Sequence, residues 1–114
     1  MYKKKAIIGI HDDTYRHTIK RFLTMNEFEV TATREVNDMI GYLKTNSYNA
    51  VIMDLNLGKP GTVWIEPAKK VFPLIGDAKY IGISGNLDTL KLAKNESIPA
   101  TDTSDLVDEI TKLE

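Results

Sequence analysis

The chain has 114 residues, of which 42% are hydrophobic and 27% charged, and its formal net charge is -1. This length suits one domain, the composition is that of a folded globular protein, and the balanced charge argues against nucleic acid as a direct partner. Because cysteine is absent, disulfides, thiolate metal sites and thiol nucleophiles are excluded, and a cytoplasmic location is expected. The apolar run at 6–10 is too short to cross a membrane, so no membrane association is expected.

Short apolar runs rich in β-branched residues alternate with longer stretches that have apolar residues every three or four positions. Such runs predict strands, and such stretches predict helices with one apolar face. In chain order the predicted elements are strand 6–10, helix 14–25, strand 29–33, helix 36–45, strand 50–55, a helix within 63–72 that starts near Glu66 and Pro67, strand 80–84, helix 87–94, a weak strand at 97–100, and a helix at 104–113 with Ser104 as its N-cap. Alternation of this kind is typical of a parallel sheet.

The order of the strands also follows from the sequence. The first and third predicted strands are apolar almost throughout, as expected when helices cover both faces, so these two strands should be central. Right-handed crossovers then favour the flavodoxin-like order 2-1-3-4-5. We therefore predict an α/β three-layer sandwich of five βα units, with residues 1–114 as a single domain.

Acidic and hydroxyl side chains follow three of the predicted strands. Asp12 and Asp13 follow the first strand, Asp54 ends the third, and Ser84 ends the fourth. In this topology the strand order reverses between strands one and three, and the ligand crevice lies at their carboxyl ends. Three carboxylates meeting there would repel one another, and a hard divalent cation such as Mg²⁺ is the simplest remedy. Asp54 then suits a nucleophile that accepts a phosphoryl group as an acyl phosphate.

With these residues the sequence resembles the receiver domains of two-component signalling. The resemblance rests on the motifs I-H-D-D at 10–13, V-I-M-D-L-N-L at 51–57 and I-G-I-S-G at 81–85, and it covers nearly the whole chain. It implies that Asp54 is phosphorylated and that Asp12, Asp13 and Asp54 hold Mg²⁺ together with the backbone carbonyl of Asn56. Ser84 would be the hydroxyl that moves to bond a phosphoryl oxygen.

The same resemblance implies partners. The phosphoryl donor would be a sensor histidine kinase or a phosphotransfer protein, and a downstream target protein would respond through a change in affinity. A homodimer is a further candidate assembly, and no nucleic acid is expected through this domain. The chain would be a signalling receiver rather than an enzyme, either standing alone or cut from a larger protein, since these residues include no output domain.

The sequence departs from the receiver pattern in one important place. Receivers usually carry a lysine at the end of strand five, where it pairs with the phosphoryl group, whereas the corresponding stretch 97–101 reads S-I-P-A-T. The segment 58–61 also lengthens the loop after Asp54, and Lys59 and Lys94 are candidate replacements for the lysine. The alternative interpretation is a degenerate receiver that acts as a phosphorylation-independent interaction module.

Other classes are less well supported. A phosphatase of the haloacid-dehalogenase type needs a second aspartate two residues after the nucleophile, and that position is Asn56. A flavin-binding flavodoxin is disfavoured because residues 12–14 place negative charge where a phosphate loop should offer backbone amides. His11 and His17 lack His or Cys partners at metal-ligand spacing and are interpreted as surface or packing residues. Trp64 either packs over the long loop, which is the favoured interpretation, or is exposed as a contact for a partner.

Overall fold

Five strands and five helices alternate along the part of the chain that the computed structural model describes, residues 4–59 and 61–113. In chain order they are β1 Lys4–Gly9, α1 Asp13–Met25, β2 Phe28–Thr33, α2 Val36–Thr45, β3 Ala50–Asp54, α3 Glu66–Val71, β4 Lys79–Ser84, α4 Leu87–Asn95, β5 Ala100–Asp102 and α5 Leu106–Thr111. Short 3₁₀ turns follow α3 and β5, at Phe72–Leu74 and Thr103–Asp105. The ends of the predicted domain and Pro60 of the long loop lie outside the described residues.

The strands form one parallel sheet in the order β2-β1-β3-β4-β5, which confirms the predicted topology. β1 pairs with β3 from Ala6 opposite Ala50 to Gly9 opposite Met53, and β3 pairs with β4 as far as Asp54 opposite Ile83. β1 and β3 each have a strand on either side, so they are central as expected.

Helices cover both faces of this sheet, and each face has its own apolar layer. Ile8 and Ile52 face α1 and α5, whereas Ile7 and Val51 face α2, α3 and α4. Side chains alternate across a strand, so a strand covered on both faces must be apolar at every position. This explains why β1 and β3 lack an alternating pattern. None of the described helices is long and apolar enough to cross a membrane.

The last strand begins later than predicted, at Ala100 rather than at residue 97. Ser97 has a left-handed backbone (φ 58°), and the N–H of Ile98 donates to the carbonyl of Ala93 at 2.9 Å. This is the hydrogen bond that closes a helix in a Schellman motif, so Ile98 is buried at the end of α4 rather than in a strand. Pro99 has no N–H for a ladder, and the strand starts after it.

The last helix also begins later than predicted, at Leu106, so Ser104 is not its N-cap. The side chain of Asp102 caps the 3₁₀ turn before the helix, because its Oδ1 accepts from both the N–H (2.9 Å) and the O–H (2.8 Å) of Ser104. These hydrogen bonds lower the pKa of Asp102. Ser104 is thus the donor in this cap and the aspartate is the acceptor.

We expect Gly41→Ala to stabilise the protein. Gly41 lies inside α2, and a Cβ added there would meet nothing within 4 Å. Alanine loses less conformational entropy than glycine in a helix, so the free energy of unfolding should rise by about 0.5 to 1 kcal/mol in urea denaturation. The matched opposite is Gly82→Ala, whose Cβ would lie 2.6 Å from a Leu55 methyl and 2.9 Å from the Pro99 carbonyl oxygen. Equal effects of the two substitutions would contradict this packing.

Candidate functional site

A cleft of about 430 Å³ opens at the carboxyl ends of β1, β3 and β4, where the strand order reverses. Polar side chains from several segments line it, among them His11 and Asp12 after β1, Asp54 at the end of β3 with Asn56 in the next loop, and Ser84 at the end of β4. Four of these are residues that the sequence predicted for the site, and the cleft lies where the topology predicted it.

Asp54 is the most buried acid of the cleft, with 8% of the residue exposed. Its Oδ2 accepts a hydrogen bond from the backbone N–H of His11 at 3.0 Å and lies 2.7 Å from the Nδ1 of the same residue. Nδ1 is buried and has no well-aligned hydrogen-bond partner among the described residues, so its contact with Oδ2 is a close electrostatic one. One oxygen of Asp54 is therefore in contact with two groups of His11.

The cleft shifts the ionisation of Asp54. Burial raises the pKa of Asp54 above its usual range, the N–H and imidazole of His11 oppose this rise, and repulsion from Asp12 adds to it. Because the net direction is upward, stability is lost as the pH rises from the usual aspartate pKa through the raised one. A carboxylate whose charge is poorly stabilised is also more basic and a better nucleophile once ionised.

Asp12 has a second role as the N-cap of α1. Its Oδ2 accepts from the N–H of Tyr15 at 2.7 Å, and this satisfies one of the free amides at the helix start. The cap uses one carboxylate oxygen and leaves the other for a ligand in the cleft.

Asp13 does not face the cleft, so the prediction that three carboxylates converge is wrong. Its side chain is 70% exposed and pairs with Arg16 at 2.5 Å and with Arg34 at 3.9 Å. The hydrogen bond and charge of Arg16 hold the pKa of Asp13 below its usual range. The physical reason is that α1 begins at Asp13, one residue earlier than predicted. The side chain therefore follows the helix surface, where Arg16 is its neighbour three residues on.

His11 is the site residue that the sequence interpretation missed. The sequence predicts a surface or packing residue, whereas the structure places His11 after β1 in contact with Asp54. The pairing of Gly9 with Met53 brings residue 11 next to Asp54. His11 and Asp54 are 43 residues apart in the chain, so no local spacing around His11 indicates this contact.

Ser84 is 6% exposed, and its Oγ accepts a hydrogen bond from the N–H of Asn86 at 3.0 Å. Asn86 is in turn the N-cap of α4, since its side chain accepts from the N–H groups of Asp88 and Thr89. A hydroxyl that accepts one hydrogen bond keeps its own O–H to donate. Ser84 thus serves the turn into α4 and still presents a donor to the cleft.

Asn56 holds the loop that follows Asp54. Its Nδ2 donates to the carbonyl of Thr62 at 2.9 Å, and its own carbonyl accepts from the N–H of Lys59 at 2.8 Å. A carbonyl oxygen has two lone pairs, so this one keeps a site for a further ligand.

Neither candidate lysine reaches the cleft. Lys59 lies over the ring of Trp64, 4.5 Å from its centroid, which confirms that Trp64 packs on the long loop. Lys94 lines a different groove, beside β5. Among the described residues that line the cleft there is no lysine, and the lining residue that follows β5 is Thr103.

Tyr15 also lines the cleft, and its hydroxyl donates to the carbonyl of Thr103 at 3.3 Å.

The cleft offers only a small number of ligand groups for a divalent cation. Within residues 4–59 and 61–113, no three His, Cys, Asp or Glu side chains form a group that could hold a metal ion. The cleft offers the carboxylates of Asp12 and Asp54 and the carbonyl of Asn56. Magnesium binds through one or two carboxylates with water and phosphate oxygens, so this set is within what it accepts.

Comparison with solved structures identifies the fold. A response regulator receiver domain from Methylobacillus flagellatus superposes with a TM-score of 0.72 at 23% identity, covering 99% of this chain and 100% of that one. A receiver domain protein from Methanospirillum hungatei gives 0.75 at 21% identity, covering 98% and 94%. A response regulator from Burkholderia pseudomallei, solved with a phosphorylated aspartic acid, a calcium ion and citrate, gives 0.77 at 15% identity.

The alignment with the Burkholderia protein covers 95% of this chain but only 64% of that one, so this chain spans less than two thirds of that response regulator. No family model matches the sequence, and no curated protein matches it. The chain has the fold of response-regulator receiver domains, as its motifs predicted.

Proposed function

We propose that this chain is a phosphoacceptor signalling domain in which Asp54 receives a phosphoryl group from a sensor histidine kinase or a phosphotransfer protein. The observation that carries this proposal is a buried carboxylate at the end of β3, with Asp12 and Ser84 in the same cleft. Acids are rarely buried, and an ionisable group with a raised pKa in a cleft is typical of functional sites. The phosphorylated aspartate of the Burkholderia response regulator supports the same class of function.

In the proposed reaction, an oxygen of Asp54 attacks phosphorus while the bond from phosphorus to the donor breaks, and an acyl phosphate results. A divalent cation, Mg²⁺ in our proposal, would be held by Asp12, Asp54 and the carbonyl of Asn56. Asp13 is not a ligand in this proposal, because its side chain lies outside the cleft. When bound, the cation offsets the negative charge that gathers around phosphorus. The free O–H of Ser84 would donate to a phosphoryl oxygen.

The route from the phosphoryl group to a target protein begins at Ser84. Its Oγ holds the N–H of Asn86, the N-cap residue of α4. A hydroxyl that turns toward the phosphoryl group changes this hydrogen bond, and with it the start of α4. We infer that the affinity for a downstream target changes through this helix, so the chain acts as a signalling module and assists only its own phosphotransfer and dephosphorylation.

Treatment with acetyl phosphate and Mg²⁺ tests the proposal by intact mass spectrometry. The parent should gain the mass of one phosphoryl group and Asp54→Asn should gain none, because the amide has the same shape without a nucleophilic oxygen. Asp13→Asn is the matched control, and it should gain mass like the parent because its side chain is exposed outside the cleft. A parent without the gain, or an Asp54→Asn protein with it, contradicts the proposal.

A second candidate is the degenerate receiver that binds partners without phosphorylation. It is favoured by the contact of His11 with Asp54 Oδ2 and by the lack of a lysine among the described residues of the cleft. In that case the parent would show no mass gain, and Asp54→Asn would bind the target protein as the parent does.

A further inference from the structure

His11 holds the carboxylate that the proposed function makes the phosphoryl acceptor. Its backbone N–H and its Nδ1 contact the same oxygen, Oδ2 of Asp54, at 3.0 and 2.7 Å. A carboxylate oxygen has two lone-pair sites. The backbone N–H of His11 takes one of these sites, and Nδ1 lies close enough to Oδ2 to block the approach of another ligand to it.

The proposed function would use both oxygens of Asp54. One would attack phosphorus, and the other would be available as a ligand of the divalent cation. While the imidazole lies against Oδ2, Oδ1 would have to both attack phosphorus and bind the cation. The arrangement as it stands supports one of these roles at a time.

We propose that the His11 side chain and a divalent cation compete for Oδ2 of Asp54, so that the ring must turn out of the cleft before the cation binds. This inference rests on the proposed function, and it makes His11 a positioning residue that sets the cation affinity of the site. The backbone N–H can stay on Oδ2, because departure of the imidazole alone opens this oxygen to a second ligand.

The structure favours movement of the side chain rather than of the loop. Arg16 fixes the backbone here, since its Nη1 donates to the carbonyl of Ile10 at 2.9 Å and to that of His11 at 3.4 Å. The His11 side chain is 34% exposed, whereas the Asp54 side chain is 11% exposed. A rotation of the ring toward solvent is therefore open to His11, while Asp54 stays in place.

Titration with Mg²⁺ tests the competition without reference to activity. We expect His11→Ala to bind Mg²⁺ at least about fivefold more tightly than the parent in calorimetry, because the variant has no imidazole to displace. His11→Asp should bind more tightly still, because it adds a carboxylate beside Asp12 and Asp54. His17→Ala is the matched control, since His17 lines a different groove, on α1, and should leave the affinity unchanged.

Imidazole signals in NMR spectra give a second measurement. In the parent, the ring signals of His11 should move as Mg²⁺ is added, while those of His17 stay in place. His11→Asn repeats the calorimetry if His11→Ala does not fold. Equal affinities in the parent and the His11 variants, no binding in any of them, or unmoved His11 signals at saturating Mg²⁺ would each overturn the competition.

The phosphorylation assay separates this inference from the function on which it rests. A mass gain in the parent together with equal cation affinities overturns the competition and leaves Asp54 as the phosphoryl acceptor. Tighter binding by His11→Ala together with no mass gain in any variant supports the competition and removes the phosphoacceptor function.

Discussion

Asp12→Ser is expected to slow phosphorylation by acetyl phosphate at limiting Mg²⁺ by at least about 100-fold, because loss of even an outer partner of a metal site lowers affinity or activity 10- to 100-fold. Serine keeps the N-cap of α1, since its Oγ accepts the Tyr15 N–H as the aspartate does. The substitution therefore removes the carboxylate from the cleft and leaves the helix start intact. The initial rate of the mass gain measures the effect, and urea denaturation should show a stability within about 0.5 kcal/mol of the parent.

Asp13→Ser is the control for this result. Both aspartates follow β1 and carry the same charge, but Asp13 is paired with Arg16 on the outside of α1. We expect its phosphorylation rate to stay within about twofold of the parent, since exposed ion pairs contribute little. A loss as large as that of Asp12→Ser would mean that Asp13 also acts in the cleft, and would contradict its position outside it.

Ile52→Ala is expected to lower the free energy of unfolding by about 3 to 4 kcal/mol, which is a large part of the stability of a small domain. Ile52 is fully buried in the middle of β3, and it packs in the layer that faces α1 and α5. Shortening this side chain leaves a cavity between β3 and the helices α1 and α5. Because β3 is hydrogen-bonded to a strand on each side, it cannot move to fill the cavity. Urea denaturation followed by circular dichroism measures the loss.

Met25→Ala provides the comparison for that measurement. Met25 is the last residue of α1 and is 77% exposed. Its truncation should change the free energy of unfolding by less than about 0.5 kcal/mol. If Ile52→Ala were as mild as Met25→Ala, the central position of β3 in the sheet would be wrong.

The order of the strands could be predicted because a strand that is buried on both faces has apolar residues at consecutive positions. β1 and β3 are apolar at consecutive positions, and only a strand between two helix layers requires this. The start of α3 near Glu66 could be predicted as well, because Pro67 is well placed in a first helical turn.

The partners of the site were harder to predict, because they depend on shifts of a single residue. The sequence placed Asp12, Asp13 and Asp54 in one cleft, and the structure places His11 there in place of Asp13. Helix ends are uncertain by one or two residues in any sequence pattern, and one residue is enough to turn a side chain to another face. The pairing of Asp13 with Arg34, which lies beyond β2, depends on tertiary contacts that no local pattern encodes.

The position of β5 was missed for a different reason. A left-handed residue that ends a helix is most often glycine, and here it is Ser97. Without the glycine, the apolar Ile98 suggests a strand, whereas its N–H closes the end of α4 by donating to the carbonyl of Ala93.

The cation–π contact in the long loop has a practical use. Trp64 is the single tryptophan of the chain, and the ammonium group of Lys59 lies on its ring in a loop that Asn56 ties down beside Asp54. Indole emission responds to the charge and polarity around the ring, so the chain carries its own optical reporter of this loop. We expect the fluorescence of the unlabelled protein to change when this loop moves, although Trp64 itself does not line the cleft.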